Sequence, residues 1–511
     1  MKLQFQTGQD IIFIDKPAGL PTHAPDVGRP GLVEILERRL GQKLWVVHRL
    51  DKSTTGAMLF ATSGARAEEL RQAFEKHQIS KTYWFVTDKS STTDEFERES
   101  LIEKVGSSSF QSTTSPLPNA KTRFKRLKRS PFFELWEARP LSGKPHQVRL
   151  HAADIGLPIL GDLNYGGSSF PHLCLHSNSI ELPGEPIWTC PAPRFFERLG
   201  LAKDKELTRL LSSIDRRQRL FHFLKNSEET LRLVHNENAD FRLDLLGPVL
   251  WCHWYKDESP REEDLERWDF IQTLLKRPLV IQKRDDRGKD PNSQKQWLLG
   301  EVPDTWTALE NGRKAEFRKV QGLSAGLFLD QRLNRDRVQE LSRKKTVLNL
   351  FSYTSLFSVA AAQGGATKVT TVDLSKNFLE WSRRNFTLNP GALATETEWS
   401  AADSFLFLRG AIKRERKWDL VICDPPSFSR GEKGVFRLKD DLEDLIGLCL
   451  QTVAPGGTLL FSCNLESMDS DEIQARLHRC APQACITKGE QDLDFELPGE
   501  EPALKSFWIQ T

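Results

Sequence analysis

Thr346-Val347-Leu348-Asn349-Leu350-Phe351-Ser352-Tyr353-Thr354-Ser355 is an apolar run that stops abruptly in a polar turn. A short run of this kind reads as a strand buried on both faces. Comparable runs follow at Lys368-Val369-Thr370-Thr371-Val372, Trp418-Asp419-Leu420-Val421-Ile422 and Gly457-Thr458-Leu459-Leu460-Phe461, with helical segments between them. That alternation predicts an α/β fold with a doubly wound, mostly parallel sheet, whose ligands lie at the carboxyl ends of its strands. Asn349, Phe351 and Ser352 stand at one such end, and Asp373 ends the next strand, at the right distance to hold a pair of ribose hydroxyls. A helix cap is the rival reading for Asp373, and an NAD-type fold is the rival for the sheet, although no G-x-G-x-x-G is present.

Toward the N-terminus the pattern changes. Ile11-Ile12-Phe13-Ile14-Asp15 reads as a buried strand ending in the turn Lys16-Pro17-Ala18-Gly19-Leu20-Pro21. An amphipathic helix is expected near Leu32–Leu40, a strand at Trp45-Val46-Val47 running into His48-Arg49-Leu50-Asp51, and a helix over 65–77. Short strands are expected from there to Leu175. The proline-dense stretch 182–193 winds this domain down, which places its boundary near residue 200. Beyond it come a charged helix over 203–224, a strand pair over 241–255, a helix over 261–276 and a polar loop over 284–292. With 511 residues the chain exceeds the size of one hydrophobic core. The expected division is 1–200, a connecting subdomain 201–305, and the doubly wound domain 306–511.

The composition, 38% hydrophobic and 28% charged, is that of a folded globular protein rather than a disordered one. No stretch has the roughly 20 apolar residues that span a bilayer, and Met1-Lys2-Leu3-Gln4-Phe5-Gln6 lacks the apolar block of a signal peptide, so a cytoplasmic protein is expected. The eight cysteines form no C-x-x-C pair, which argues against a zinc site or a disulfide framework; no metal is expected. A net charge of +2 is uninformative, but the run from Lys121 through Arg123 to Arg129 concentrates cations as a phosphate-tracking surface would. A solvated basic strand is the competing reading.

A lone Asp after a strand is ordinarily a turn residue or cap. Here His48-Arg49-Leu50-Asp51 precedes Thr54-Thr55-Gly56, and the whole resembles the HRLD-x-x-T-S-G signature of RluA-type RNA pseudouridine synthases, with Thr55 where serine is commoner. Lys16-Pro17-Ala18-Gly19-Leu20, Lys81-Thr82-Tyr83, and Gly143-Lys144-Pro145-His146-Gln147-Val148-Arg149-Leu150-His151 with Gly161-Asp162 and Tyr165-Gly166 resemble further blocks of that family in the same order. The resemblance implies an α+β domain with a mixed or antiparallel sheet and a cofactor-free reaction. Asp51 would act on the ribose-uracil unit, Tyr83 would stack on the flipped base and move a proton, and Arg149 would pair with Asp51. A guanidinium beside a carboxylate keeps it ionised and aims it. Arg49 would enter the helix in place of the flipped nucleotide, and His48, Lys121 and Arg123 would join it in binding RNA.

In the second half, Gly326-Leu327-Phe328-Leu329-Asp330-Gln331-Arg332, the 349–355 turn, Thr371-Val372-Asp373-Leu374-Ser375 and Asp424-Pro425-Pro426-Ser427-Phe428 resemble large-subunit rRNA methyltransferases of the RlmI and RlmK kind. The resemblance implies a class I fold that binds S-adenosylmethionine (SAM) through Asp330, Asn349, Phe351, Ser352 and Asp373, with Asp403 beside the adenine and Asp424 and Pro425 bordering the target base. Ser355 replaces the usual glycine, which would crowd the methionine end. Cys463 stands where RlmI-type cytosine-C5 enzymes have a nucleophile, whereas Leu379 to Asn385 look more like the RlmK-type guanine-N7 enzymes. The expectation is a bifunctional enzyme acting on RNA, with ribosomal RNA implied by the second resemblance; the alternative is an active synthase whose methyltransferase-like half only binds RNA or assists ribosome assembly.

Overall fold

The computed structural model describes residues 6–8, 10–24, 30–106, 109–170, 172–193, 196, 204–221, 228–237, 240–283, 295–319, 325–431, 434–465, 467–495 and 503–511. The predicted polar loop 284–292 and the predicted boundary near residue 200 lie outside these. The chain forms two compact units, residues 2–225 and 226–511. Of the expected connecting subdomain, helix Lys205–Leu220 falls in the first unit and the strands from Thr230 onward in the second.

The first unit is built on a mixed sheet centred on strand Thr55–Ala61, all seven residues of which are buried. It pairs antiparallel with Ile11–Lys16 and parallel with Leu175–Glu181. The close approach of Leu175–Glu181 depends on Gly56: it has φ +107, and a Cβ there would lie 2.1 Å from Ser177 O. No side chain fits so close to a crossing backbone. The sheet continues through Ser80–Thr87, Glu134–Pro140, Ala120–Arg129 and Glu95–Lys104. Helices Leu32–Leu40 and Gly64–Glu75 form where the apolar spacing predicts them. The segment Gln147–Asp154, expected among strands, is a helix instead. Its side chains from Gln147 to Ala152 are all buried, and polar Gln147, Arg149 and His151 alternate with apolar residues, which mimics the period of a strand.

The second unit contains a five-stranded sheet over Thr230–Leu299 and a seven-stranded sheet. In the larger sheet the order runs Glu396–Ala401, Lys368–Asp373, Thr346–Leu350, Trp418–Cys423, Val453–Cys463, all parallel, then Lys505–Gln510 and Cys485–Lys488 antiparallel. Apolar clusters cover both faces, one including Val347, Val369 and Leu420, the other Leu348, Val421 and Leu459. Adjacent residues of one strand thus enter opposite cores, which is why these strands read as continuous apolar runs. The strand order reverses between Thr346–Leu350 and Trp418–Cys423, and the crevice at that switch point is where such sheets bind ligands.

Candidate active sites

The first site lies on the loop between strands Trp45–Val46 and Thr55–Ala61. Lys16, fully buried, donates its ammonium protons to the carbonyls of Pro17 (3.0 Å), Lys52 (3.1 Å) and Thr54 (2.8 Å). Gly19 N–H donates to Lys52 O at 2.8 Å, and the Thr22 hydroxyl donates to Leu50 O at 3.2 Å. The Lys16–Leu20 turn therefore holds the loop that presents Asp51. Burial pushes the Lys16 ammonium down to about 7, opposed by the negative charge of Asp51.

Arg149, near the start of helix Gln147–Asp154, faces this loop. Its Nη1 donates to Asp51 Oδ2 at 3.1 Å, while Nε and Nη2 donate to the two oxygens of Asp162, both at 2.7 Å. Asp162 is 2% exposed and Arg149 8%. A bidentate carboxylate on one edge of a guanidinium fixes its plane, so the remaining edge points at Asp51. His146 completes the arc, with Nε2 at 3.8 Å from Asp51 Oδ1 and Nδ1 at 2.7 Å from Tyr165 Oη. Tyr83 is buried, and burial together with the nearby Asp51 charge pushes its phenol above the usual range. The structure thus brings Asp51 and Arg149 into contact, with Tyr83 inside the field of Asp51. Asp162, His146 and Lys16 complete this set. Each of the three lies inside a motif of the sequence, but only the fold brings them to Asp51.

The expected RNA-binding residues are placed differently from one another. Arg49 is exposed, two positions before Asp51 in the chain. The His48 ring is turned inward: its Nε2 accepts the Leu59 N–H at 3.0 Å and it packs on Phe74 at 5.2 Å. Burial and, secondarily, Lys81 push it down to about 3, so it is neutral and structural in its contacts. Lys121 and Arg123 lie on a strand whose antiparallel partner carries Glu95, Glu97 and Glu99 directly opposite Lys125, Arg123 and Lys121. Lys121 pairs with Glu97 and Glu99, and Arg123 Nε lies 2.9 Å from Glu97. Arg126 pairs with Asp94 and Arg129 with the buried Glu134. The basic run is locally neutralised by its cross-strand neighbours.

The second site occupies the switch point of the parallel sheet. After strand Thr346–Leu350 the backbone enters the left-handed region at Phe351 (φ 52), Tyr353 (φ 49) and Ser355 (φ 63). Three non-glycine residues in that region within five positions store strain, which concentrates at ligand sites. Asp373 accepts the backbone N–H groups of Tyr353 and Ser375, each at 2.8 Å, and so ties the turn to the next strand end. Burial nevertheless pushes its carboxyl above the usual range. Asn349 donates to Ser358 at 2.9 Å, bracing the helix that follows the turn. Phe351 stacks on Phe436 at 6.0 Å. Asp403 caps helix Ser404–Lys413 through the Leu406 N–H. Asp424 and Pro425 follow the strand Trp418–Cys423, and burial with the charge of Asp330 pushes Asp424 up to about 7.

Ser355 keeps its left-handed conformation, and its hydroxyl makes a 2.6 Å hydrogen bond with Ser382. Its side chain is thus engaged with helix Lys376–Thr387. Cys463 is 1% exposed and belongs to the apolar core, and burial raises its thiol further above the usual range.

The family profile described as S-adenosylmethionine-dependent methyltransferase matches residues 248–506, just over half of the chain. The chain belongs to that family. A second profile, RNA pseudouridylate synthase, matches residues 10–154, the segment that carries Asp51, Tyr83 and Arg149. The resemblance read from the two sets of motifs is therefore found by independent comparison. Ribosomal RNA large subunit methyltransferase K of Neisseria meningitidis serogroup B is 37% identical over 41% of this chain and 59% of its own length. Ribosomal RNA large subunit methyltransferase K/L of Pseudomonas fluorescens is 32% identical over 62% of this chain and 42% of its own. The chain thus spans well under two thirds of these relatives. A SAM-dependent methyltransferase of solved structure from Streptococcus mutans superposes with TM-score 0.52 at 26% identity, covering 60% of this chain and 80% of that one.

The methyltransferase unit is SAM-dependent, and its switch-point residues fit that cofactor. The Ser352 hydroxyl is buried without a hydrogen-bond partner in the strained turn, a polar atom set for a polar ligand. Each Asp373 oxygen accepts only one backbone N–H and so retains a lone pair for a ribose hydroxyl. Among the described residues no cluster of metal-ligating side chains is present, and no helix is long and apolar enough to cross a membrane.

Proposed function

We propose that this chain is a bifunctional RNA-modifying enzyme, converting uridine to pseudouridine at Asp51 and methylating a guanine N7 of large-subunit rRNA with SAM. Its working division is residues 1–200 for the synthase, 201–305 connecting, and 306–511 for the methyltransferase. The observation that carries the first activity is the Asp51–Arg149–Asp162 arrangement. Asp162 holds the guanidinium, whose remaining edge aims Asp51 as a nucleophile or base toward the ribose-uracil unit. Tyr83 offers its ring to the flipped base, and exposed Arg49 fills the gap left in the RNA. Lys121 and Arg123 contribute to RNA binding only so far as Glu97 and Glu99 release them.

Support for N7 over cytosine C5 comes from Cys463. A thiol that attacks a ring needs access and a lowered pKa, and this one has neither. SAM supplies a methyl group made electrophilic by its sulfonium. Guanine N7 has a lone pair ready to take that methyl without covalent activation, and the base becomes cationic as it does so. Asp330 and Asp424 would then face the developing charge, and Asp373 would hold the ribose. The large-subunit rRNA substrate follows the names of the relatives.

The test is mass-spectrometric mapping of rRNA from a deletion strain after treatment with purified protein, with and without SAM. Pseudouridine should form in both arms and methylguanine only with SAM. Asp51→Ala should abolish the first mark and spare the second, and Cys463→Ser should spare both. Methylation lost with Cys463→Ser and found on cytosine would overturn the N7 assignment.

A further inference from the structure

We infer that His146 is the base that carries a proton from C5 to N1 of the uracil, an assignment that rests on the pseudouridine-synthase reading of the Asp51 site. Isomerisation requires such a group. When C5 joins C1′, it still bears its hydrogen and the ring holds an N1=C6 double bond. The C5–H bond then breaks, its electron pair re-forms C5=C6, and the N1=C6 π pair moves onto N1. One proton leaves C5 and one arrives at N1, so the step balances without a co-reactant.

The groups gathered around Asp51 differ in their fitness for this role. Arg149 holds its protons at any physiological pH. The Lys16 ammonium is spent on three carbonyls beneath the loop. Tyr83 is buried, and its phenol is a poor proton acceptor in that setting. Asp51, freed from C1′ when C5 joins it, is a carboxylate paired with Arg149 at 3.1 Å, and a carboxylate is intrinsically a weaker base than a neutral imidazole. His146 combines an imidazole lone pair with an open approach.

Its placement is specific. His146 takes φ 55 at the start of helix Gln147–Asp154, a left-handed conformation that a non-glycine residue adopts only under constraint. The ring is wedged between Phe110 at 5.2 Å and Tyr165 at 5.7 Å. With its proton on Nδ1, the neutral ring donates to Tyr165 Oη at 2.7 Å and leaves the Nε2 lone pair on the side of Asp51, 3.8 Å away. The side chain keeps 19% of its surface open. The charged and titratable groups facing it are Asp51, Arg149, Asp162 and Tyr165. Burial holds the imidazole below its ordinary value, opposed by Asp51, so it is neutral and able to accept a proton near pH 7. Once protonated, it faces the Asp51 carboxylate freed by C5–C1′ bond formation.

The experiment uses the full chain and rRNA transcribed with [5-²H]uridine, comparing wild type with His146→Gln and His146→Gly. Glycine tolerates the left-handed backbone, so this variant retains the local fold. Loss of a general base should lower kcat by about 10²–10⁴-fold at unchanged RNA affinity. The deuterium isotope effect on pseudouridine formation should rise in both variants, and added imidazole should restore turnover in His146→Gly. An unchanged isotope effect together with no imidazole rescue overturns the inference, as does a rate within about threefold of wild type. If wild type forms no pseudouridine, or Asp51→Ala retains it, the reading of the site itself fails.

Discussion

Asp162→Asn is the most direct probe of how the first site is held. In the native protein the buried guanidinium of Arg149 is gripped on one edge by both Asp162 oxygens at 2.7 Å and touched on the other by Asp51 at 3.1 Å. Asparagine keeps one acceptor, but its amide N–H₂ then abuts a guanidinium N–H. One charge-assisted bond is lost, worth about 1.5–3 kcal/mol, and half of the charge compensation goes with it. Leaving a buried charge wholly unpaired costs about 3–5 kcal/mol. Asp51 still faces Arg149, so about 3 kcal/mol is expected. For a unit of this size, each kcal/mol moves Tm by about 2–4 °C, which gives a drop of about 6–12 °C. Scanning calorimetry of the full chain measures it, with SAM added to raise the methyltransferase transition clear of the synthase one. The freed guanidinium should also misplace Asp51, lowering the pseudouridine rate by about 10²-fold with RNA affinity retained. Asp162→Glu should recover part of both losses. A Tm change below about 2 °C with the rate unaltered would show that Asp162 does not position Arg149.

Three other perturbations follow from the geometry. The Asp424 carboxyl is raised from 3.8 to about 7, so the folded state holds a proton that the unfolded state releases. Its contribution is favourable below pH 4 and is lost as pH rises to about 7, with an upper bound of about 4 kcal/mol. Asp424→Asn should therefore stabilise the methyltransferase unit at pH 7.5 but not at pH 4 while abolishing methylation, and melting curves across pH test this. Ser355→Gly relieves a left-handed serine but gives up the Ser382 hydrogen bond; the terms oppose, so stability should move by less than about 1 kcal/mol. Calorimetric SAM affinity should stay the same, and a tenfold gain would mean that Ser355 does crowd the pocket. Lys121→Gln and Arg123→Gln should leave the salt dependence of RNA binding nearly unchanged, because glutamates already neutralise these cations. A slope reduced by about 1 per substitution in filter-binding titrations would place phosphates on that strand.

Much of the architecture was legible because its signals are local. A strand buried on both faces must be apolar along its whole length, so Thr346–Leu350 and Trp418–Cys423 announced the parallel sheet without any contact being known. Helix Gln147–Asp154 reads as a strand because its buried polar residues Gln147, Arg149 and His151 alternate with apolar Val148, Leu150 and Ala152. The basic run is the reverse case. Its cations are local facts, but their neutralisation depends on the register that sets Glu97 opposite Arg123, which no single strand encodes.

By itself the sequence determined where the contiguous motifs of the two resemblances fall: the Asp51 loop, the turn after Leu350, and the Asp424-Pro425-Pro426 corner. Only tertiary structure decided what surrounds them. Arg149 meets Asp51 across 98 positions, and its orientation is set by a second carboxylate, Asp162, and by a helix that begins in the left-handed region at His146. Hydrogen bonds and ion pairs act over a few ångströms of space rather than along the chain. For that reason a motif can single out a carboxylate while the groups that surround and orient it become visible only once the fold has brought them together.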